Sequence, residues 1–292
     1  MERYEARGHA TRGQIVSMLP TEWSFEGRRV LDFGCGAGRT LRHFLGEAEI
    51  AEFWGADIDE ASIAWVSEHL SPPIHPLHSK EIPPIPRPDG YFDLVYAISV
   101  FTHLTDSWSQ WLLELHRLLR DDGLLIATYA GEAVSERFAN EPWDPDQVGM
   151  NVLRTWQSWD VGGPFVLHSE WWVRAHWGRP FEVLAVQAPS EIDSALGPQS
   201  WVLMRKRSGR FTAAELESPQ PGEEREVRAM RHNISQLQAE ATEQRRVLLS
   251  EIESLRRHSD DLQGAMESLT NSKSWRVTKP LRTLAGRWRE RR

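Results

Sequence analysis

Three glycines at alternate positions interrupt the run Val30-Leu31-Asp32-Phe33-Gly34-Cys35-Gly36-Ala37-Gly38-Arg39, which opens as an apolar strand and leads into a helical pattern from Thr40 to Gly46. A strand, a glycine turn and a helix N-terminus in succession are the local plan by which α/β proteins hold nucleotide-like cofactors. Glycine tolerates positive φ and carries no Cβ, so a ligand can lie directly against backbone. The spacing is G-x-G-x-G, without the G-x-G-x-x-G arrangement that seats a dinucleotide pyrophosphate on a helix end. Further along, Glu52-Phe53-Trp54-Gly55-Ala56-Asp57-Ile58-Asp59 reads as a second strand ending in acid, and an acid at a strand tip can accept hydrogen bonds from both ribose hydroxyls.

With D-x-G-C-G-x-G in the first turn and G-x-D-I-D in the second, the chain resembles class I S-adenosylmethionine-dependent methyltransferases. Tyr91 to Ala97 is similar to that family's fourth strand, and Leu118 to Ile126 to its helix end, turn and fifth strand. The resemblance covers roughly residues 28–207. The competing reading is a generic Rossmann-like domain that binds NAD or no cofactor. What the resemblance implies is a Rossmann-like α/β fold, a mostly parallel sheet with an antiparallel last strand, and S-adenosyl-L-methionine as cofactor. It assigns cofactor binding to Asp32, Gly34, Gly36, Gly38, Asp57, Ile58, Ser79 and Ala97: the glycines face the methionine portion, Asp57 binds the ribose and Ile58 packs on adenine. For the adenine edge the candidates are Ser79 and Lys80, where the family commonly has aspartate.

Methyl group and acceptor should meet after the fourth strand, at Ile98 to Leu104. His103 is a candidate general base there, since a histidine of ordinary pKa can remove a hydroxyl proton at neutral pH; it could equally cap the next helix or bond backbone. His168 is a second candidate and Gln199 a weaker one for acceptor binding. No H-E-x-x-H or similar spacing implies a metal. Six tryptophans, Trp143, Trp156, Trp159, Trp171, Trp172 and Trp177, fall in one stretch and suit either sugar faces or core packing.

Periodicity places a first helix ending at Gln14 to Leu19, a second around Ile63, Val66 and Leu70, a short strand at Ile74 to Leu77, and a helix over Ser107 to Leu119 buried through Trp108, Trp111, Leu112, Leu115 and Leu119. Residues 139–163 read as a long irregular insert, and Phe181 to Ala188 and Ser200 to Met204 as the last two strands. The expected organisation is a methyltransferase domain at 1–207, a linker at 208–226, a coiled coil at 227–270 and a basic amphipathic tail at 271–292.

In the third segment Val227, Met230, Ile234, Leu237, Ala241, Leu248, Ile252, Leu255, Leu262, Met266 and Leu269 recur in steps of three and four, with Gln244 and Ser259 filling the seam and one stutter at Leu248 to Ile252. Such a stripe implies either homo-oligomerisation or one amphipathic helix packed on the body.

Net charge is −8, yet residues 271–292 carry eight basic side chains against one acid, so this tail is +7 and the rest of the chain −15. The body repels nucleic acid, and no nucleic-acid partner is expected. Trp275, Leu281, Leu284 and Trp288 among the basic groups fit an interfacial helix on anionic lipid or a solvated basic tail. The S-W-R-x-T-x-P-L-R string is also similar to tails found near enzymes that build bacterial surface polysaccharides. A single cysteine, Cys35, and no N-terminal apolar run point to the cytoplasm, at the inner face of the membrane if the tail binds lipid. Cys35 is expected to be there because it is small, not as a nucleophile. The function expected is O-methylation of a saccharide or cell-envelope precursor; the alternatives are another small metabolite, or a non-catalytic scaffold.

Overall fold

The computed structural model describes residues 2–138, 142–158, 161, 163–188 and 199–278. In chain order the elements are α1 (Glu2–Met18), β1 (Arg29–Phe33), β2 (Glu52–Asp57), α2 (Glu60–His69), β3 (His75–His78), β4 (Phe92–Ala97), α3 (Trp108–Leu118), β5 (Leu119–Tyr129), α4 (Glu132–Phe138), β6 (Met150–Leu153), β7 (Phe165–His168), α5 (Glu170–His176), β8 (Phe181–Gln187), β9 (Ser200–Lys206), α6 (Ala213–Glu217), α7 (Arg225–Asn271) and α8 (Lys273–Val277). Seven strands form one sheet in the order β3-β2-β1-β4-β5-β9-β8, and β6 pairs with β7 apart from it. Only β9 runs against its neighbours in the large sheet, antiparallel to both β5 and β8.

Alternation along the central strands feeds two cores, as period-two geometry requires when both faces are covered. Leu31, Val95, Ala97, Leu125 and Ala127 face α3 and the tryptophans Trp172 and Trp177. Val30, Leu94, Tyr96, Leu124 and Ile126 face the opposite way, with Ile15 of α1 and Ile63 and Val66 of α2. In α3 the expected apolar positions Trp108, Trp111, Leu112 and Leu115 are buried, as is Leu119, which opens β5.

Two expectations are corrected. The pattern from Thr40 to Gly46 forms no α-helix but a 3-10 turn, Leu41–Phe44. Its buried residues Leu41 and Phe44 are three apart, the spacing that eclipses on a 3-10 helix, and Phe44 stacks on Phe53 at 5.1 Å. The insert is only partly irregular, because β6 pairs antiparallel with β7 from Met150↔His168 to Leu153↔Phe165. The stretch expected as linker contains α6, started by a capping box in which Thr212 and Glu215 satisfy each other's backbone amides.

The chain divides into two compact units, Met1–Leu237 and Gln238–Arg292. Within the first, the opening turns of α7 are docked: Glu226 and Ala229 are buried, Glu226 meets His176 Nε2 at 2.9 Å, and Asn233 both donates to the Val152 carbonyl and accepts from its amide. The second unit is the remainder of α7 followed by α8. Among the described residues no helix is long and apolar enough to cross a membrane. Leu281, Leu284 and Trp288 lie outside the described residues, as do Trp159 and Gly162.

Candidate active site

The parallel register sets Phe33 beside Ala56, so β1 and β2 end together and their following turns meet. Gly34 and Cys35 both donate to the Ala56 carbonyl, at 2.8 and 3.1 Å, which pins the glycine loop to the tip of β2. Gly34, Gly36 and Gly38 all have positive φ, the conformation that only glycine adopts without strain. Their surroundings differ. A Cβ on Gly34 would stand 2.4 Å from Val100 Cγ2 and one on Gly38 2.6 Å from Leu70 Cδ1, whereas a Cβ on Gly36 would enter open space. Gly36 is thus the point at which backbone lies bare beside Asp57. The Asp57 carboxylate accepts the Gly36 amide at 2.7 Å and the Asp59 amide at 2.9 Å.

Beyond β3, the Ser79 amide donates to the Asp57 carbonyl at 2.8 Å, and the Ser79 hydroxyl is buried without a hydrogen-bond partner. A buried hydroxyl with nothing to bond costs ~1–3 kcal/mol, so it suits a site that a ligand completes. Lys80 is exposed, and Ile58 is half-buried at the same edge. Asp32 is buried, and burial pushes its carboxyl up to about 8, with the Asp57 charge adding to the rise. Ala97 is fully buried in the core, so it can present only main chain at the end of β4. Cys35 is buried with its thiol pushed up, first by burial, which disfavours the thiolate a nucleophile needs.

The loop after β4 is tied to the far side of the sheet. Ser99, at φ 61°, accepts the Gln199 side-chain amide at 2.9 Å and donates its own amide to Thr128 Oγ1 at 2.8 Å. The His103 ring sits with Nδ1 2.9 Å from the Pro164 carbonyl. A carbonyl only accepts, so Nδ1 carries a proton, and in the neutral ring Nε2 is the nitrogen left to accept. Just past Pro164, β7 closes over the sheet's carboxyl edge: the Val166 amide donates to the Thr102 carbonyl at 2.8 Å and the His168 amide to the Ala130 carbonyl at 2.7 Å.

His103 and His168 therefore lie near opposite ends of a four-residue strand, roughly 10 Å apart, and do not form a pair. His168 is fully buried among Tyr129, Trp172 and Trp177, with neither ring nitrogen hydrogen-bonded. Burial, then the nearby His176, pushes its pKa down to about 3. Its imidazole is neutral and a poor base at pH 7, although its nitrogens remain able to bond a neutral ligand group.

A cleft of about 770 Å³ opens beside His168, walled by Tyr129, Trp143 and Trp171 and edged by Glu132, Glu170, Ser200 and Arg225. Of the five tryptophans of that stretch among the described residues, Trp143 and Trp171 line it. Trp172 and Trp177 are core residues and Trp156 is exposed.

Several residues of this site carry no local sequence signal. Arg42 donates to the Gly38 carbonyl at 3.1 Å and the Ala37 carbonyl at 3.0 Å while lying over Trp65, so it buttresses the glycine loop. Ser99, Thr128 and Arg225 likewise enter through long-range contacts, and only the family's spacing for the turn after β4 hinted at the first.

Compared with known proteins, residues 5–183 match the family described as "Methyltransferase domain". A curated relative, sphingolipid C9-methyltransferase 2 of Gibberella zeae, is 27% identical over 124 residues, which is 40% of this chain and 24% of the relative. The match thus spans about a quarter of that relative's length. Among solved structures, a putative S-adenosylmethionine-dependent methyltransferase from Listeria monocytogenes superposes with a TM-score of 0.52 at 17% identity, over 70% of this chain and 100% of that one. At that identity the likeness is one of fold. A Burkholderia thailandensis 1,6-didemethyltoxoflavin-N1-methyltransferase gives 0.49 at 16%, covering 70% and 79%.

Proposed function

The chain belongs to the methyltransferase domain family, and from that premise we propose that it moves a methyl group from S-adenosylmethionine to a hydroxyl oxygen of a saccharide or related cell-envelope precursor. One observation carries the donor half: the Asp57 carboxylate is held against the bare Gly36 backbone, next to the orphaned Ser79 hydroxyl. These groups fit a nucleoside. Asp57 would accept from the ribose hydroxyls, Ile58 would pack on the base, and Ser79 would meet its polar edge. The buried Asp32 carboxyl, costly to ionise alone, suits a cationic amino group that would share its charge. The donor supplies an electrophilic methyl group when bound.

The remaining task is orientation, since holding acceptor and methyl in contact supplies much of the rate of such a displacement. The loop after β4, fixed by Gln199 and Thr128, forms the floor on which they meet. His103 Nε2 would take the acceptor's hydroxyl proton as that oxygen bonds the methyl carbon and the donor's carbon–sulfur bond breaks, with S-adenosylhomocysteine as the leaving group. In the cleft, Trp171, Trp143 and Tyr129 offer aromatic faces to a sugar ring, while Glu132, Glu170 and Ser200 offer hydrogen bonds to its hydroxyls.

Calorimetry with S-adenosylhomocysteine tests the donor half: the protein should bind it, and Asp57→Ala should lose at least tenfold in affinity, as when a group bonding both ribose hydroxyls is removed. Absence of binding to folded wild-type protein would sink the proposal. Methyl transfer to cell-envelope extracts tests the acceptor half. The partial match to sphingolipid C9-methyltransferase 2 favours a second reading, a lipid acceptor methylated on carbon, which a product in the lipid fraction would establish. Donor binding without transfer to any fraction would favour the scaffold.

Self-association through residues 227–270 and contact of residues 271–292 with anionic lipid belong to the same proposal. Their support is the apolar stripe and the +7 tail.

A further inference from the structure

The long helix presents two neighbouring faces with different uses. Glu226, Ala229, Asn233 and Gln236 recur at steps of three and four and hold the body: the first two are buried, and Asn233 and Gln236 bond Val152 and Asn151 of β6. Val227, Met230, Ile234 and Leu237 follow the same steps one residue later, which turns them about 100° away. Val227, Met230 and Ile234 are about half exposed, and the same row continues exposed through Leu255, Leu262, Met266 and Leu269, the last at 64%. Docking on the body therefore does not consume the stripe.

Charges beside the stripe say what covers it. With Ala241 and Ile252 as first seam positions of their heptads, the preceding positions are acidic, Glu240 and Glu251, and those four residues after them are basic, Arg245 and Arg256. Arg231 holds the same position two repeats before Arg245, with Gln238 between them. In a parallel, in-register pair each such glutamate faces the arginine five residues later on the other helix. An antiparallel pair would set glutamate against glutamate and arginine against arginine. Leucines predominate at the second seam position, at Leu237, Leu255, Leu262 and Leu269, with Val227, Ile234 and Ile252 among the first, a distribution that favours two strands.

We propose that two copies of this chain join along α7 as a parallel, in-register coiled coil, with Glu251 of one copy beside Arg256 of the other and Glu240 beside Arg245. The inference rests on the self-association proposed above and adds its partner number, direction and register.

The test uses the full chain. Ser259→Cys, at a seam position, should form a disulfide between copies under mild oxidation, because like seam positions meet only in register and Cβ atoms must come within about 4.5 Å. In sedimentation equilibrium Glu251→Arg should weaken the dimer about tenfold, and Glu251→Arg with Arg256→Glu should restore it. A stable oligomer in which the Ser259→Cys variant stays uncrosslinked, or which the double reversal does not rescue, overturns direction and register while leaving self-association intact. A wild-type chain that is monomeric at micromolar concentration overturns both.

Discussion

Asp32 sits at the end of β1 with its carboxyl pushed up to about 8, chiefly by burial, against an ordinary value of 3.8. A group whose pKa is higher folded than unfolded holds its proton more tightly in the fold, so the stability it contributes is full below about pH 4 and is lost as pH rises through about 8. Asp32→Asn should therefore raise the melting temperature at pH 8 and change it little at pH 4, while weakening S-adenosylhomocysteine binding in calorimetry. Equal shifts at both pH values would show that the carboxyl is not held neutral. For His103, replacement by alanine should lower turnover by about 10² with donor affinity nearly unchanged, the signature of a lost general base. Full turnover in His103→Ala would leave positioning alone to account for the rate. At this scale the glycine loop and Asp57 are legible because strict local spacing serves backbone geometry. Arg42 and Ser99 are illegible for different reasons: Arg42 bonds main-chain carbonyls only four and five positions back, which any residue type supplies, whereas Ser99 takes the Gln199 side chain from a hundred positions away.

Among the elements, the ones read well are those whose signal is periodic: the central strands with alternating cores, α3 with its buried stripe, and α7. The turn after the glycine loop was misread as a helix because three-residue and four-residue spacings are indistinguishable over four positions. Strand β6 escaped because Met150-Asn151-Val152-Leu153 is short and gains its identity only from pairing with Phe165–His168. The boundary expected at Arg207 also has a structural consequence. Leu216, Glu226 and Ala229, all beyond it, are buried, and both ring nitrogens of His176 bond residues of that segment, the Leu216 carbonyl and the Glu226 carboxylate. Ending the chain after Leu237 should leave a folded monomer that binds S-adenosylhomocysteine. Ending it after Arg207 should cost several kcal/mol, the sum of one emptied apolar site and a buried histidine stripped of partners. Urea denaturation of the two fragments checks this, and equal midpoints would show that residues 208–237 contribute nothing to the fold.

For the whole molecule, charge separates along the chain, with +7 on the last 22 residues and −15 on the rest. Cosedimentation of the full chain with anionic vesicles should be strong at low salt and fall steeply toward 0.5 M, where the Debye length is about 4–5 Å. Ending the chain after Asn271 should abolish it, and retention by that shorter chain would place the lipid contact elsewhere. The glycine loop with Asp57 and the cleft beside His168 are also drawn from different stretches of this chain. The β6–β7 hairpin is fastened by main-chain bonds, from Val166 to Thr102 and from His168 to Ala130, and by its buried side chains Leu153, Phe165 and Leu167. The cleft's rim residues Glu132, Trp143 and Glu170 come from segments that flank this packed hairpin, so evolution, or an engineer, can exchange them and retune what the cleft admits without reopening the packing that keeps the glycine loop and Asp57 in place.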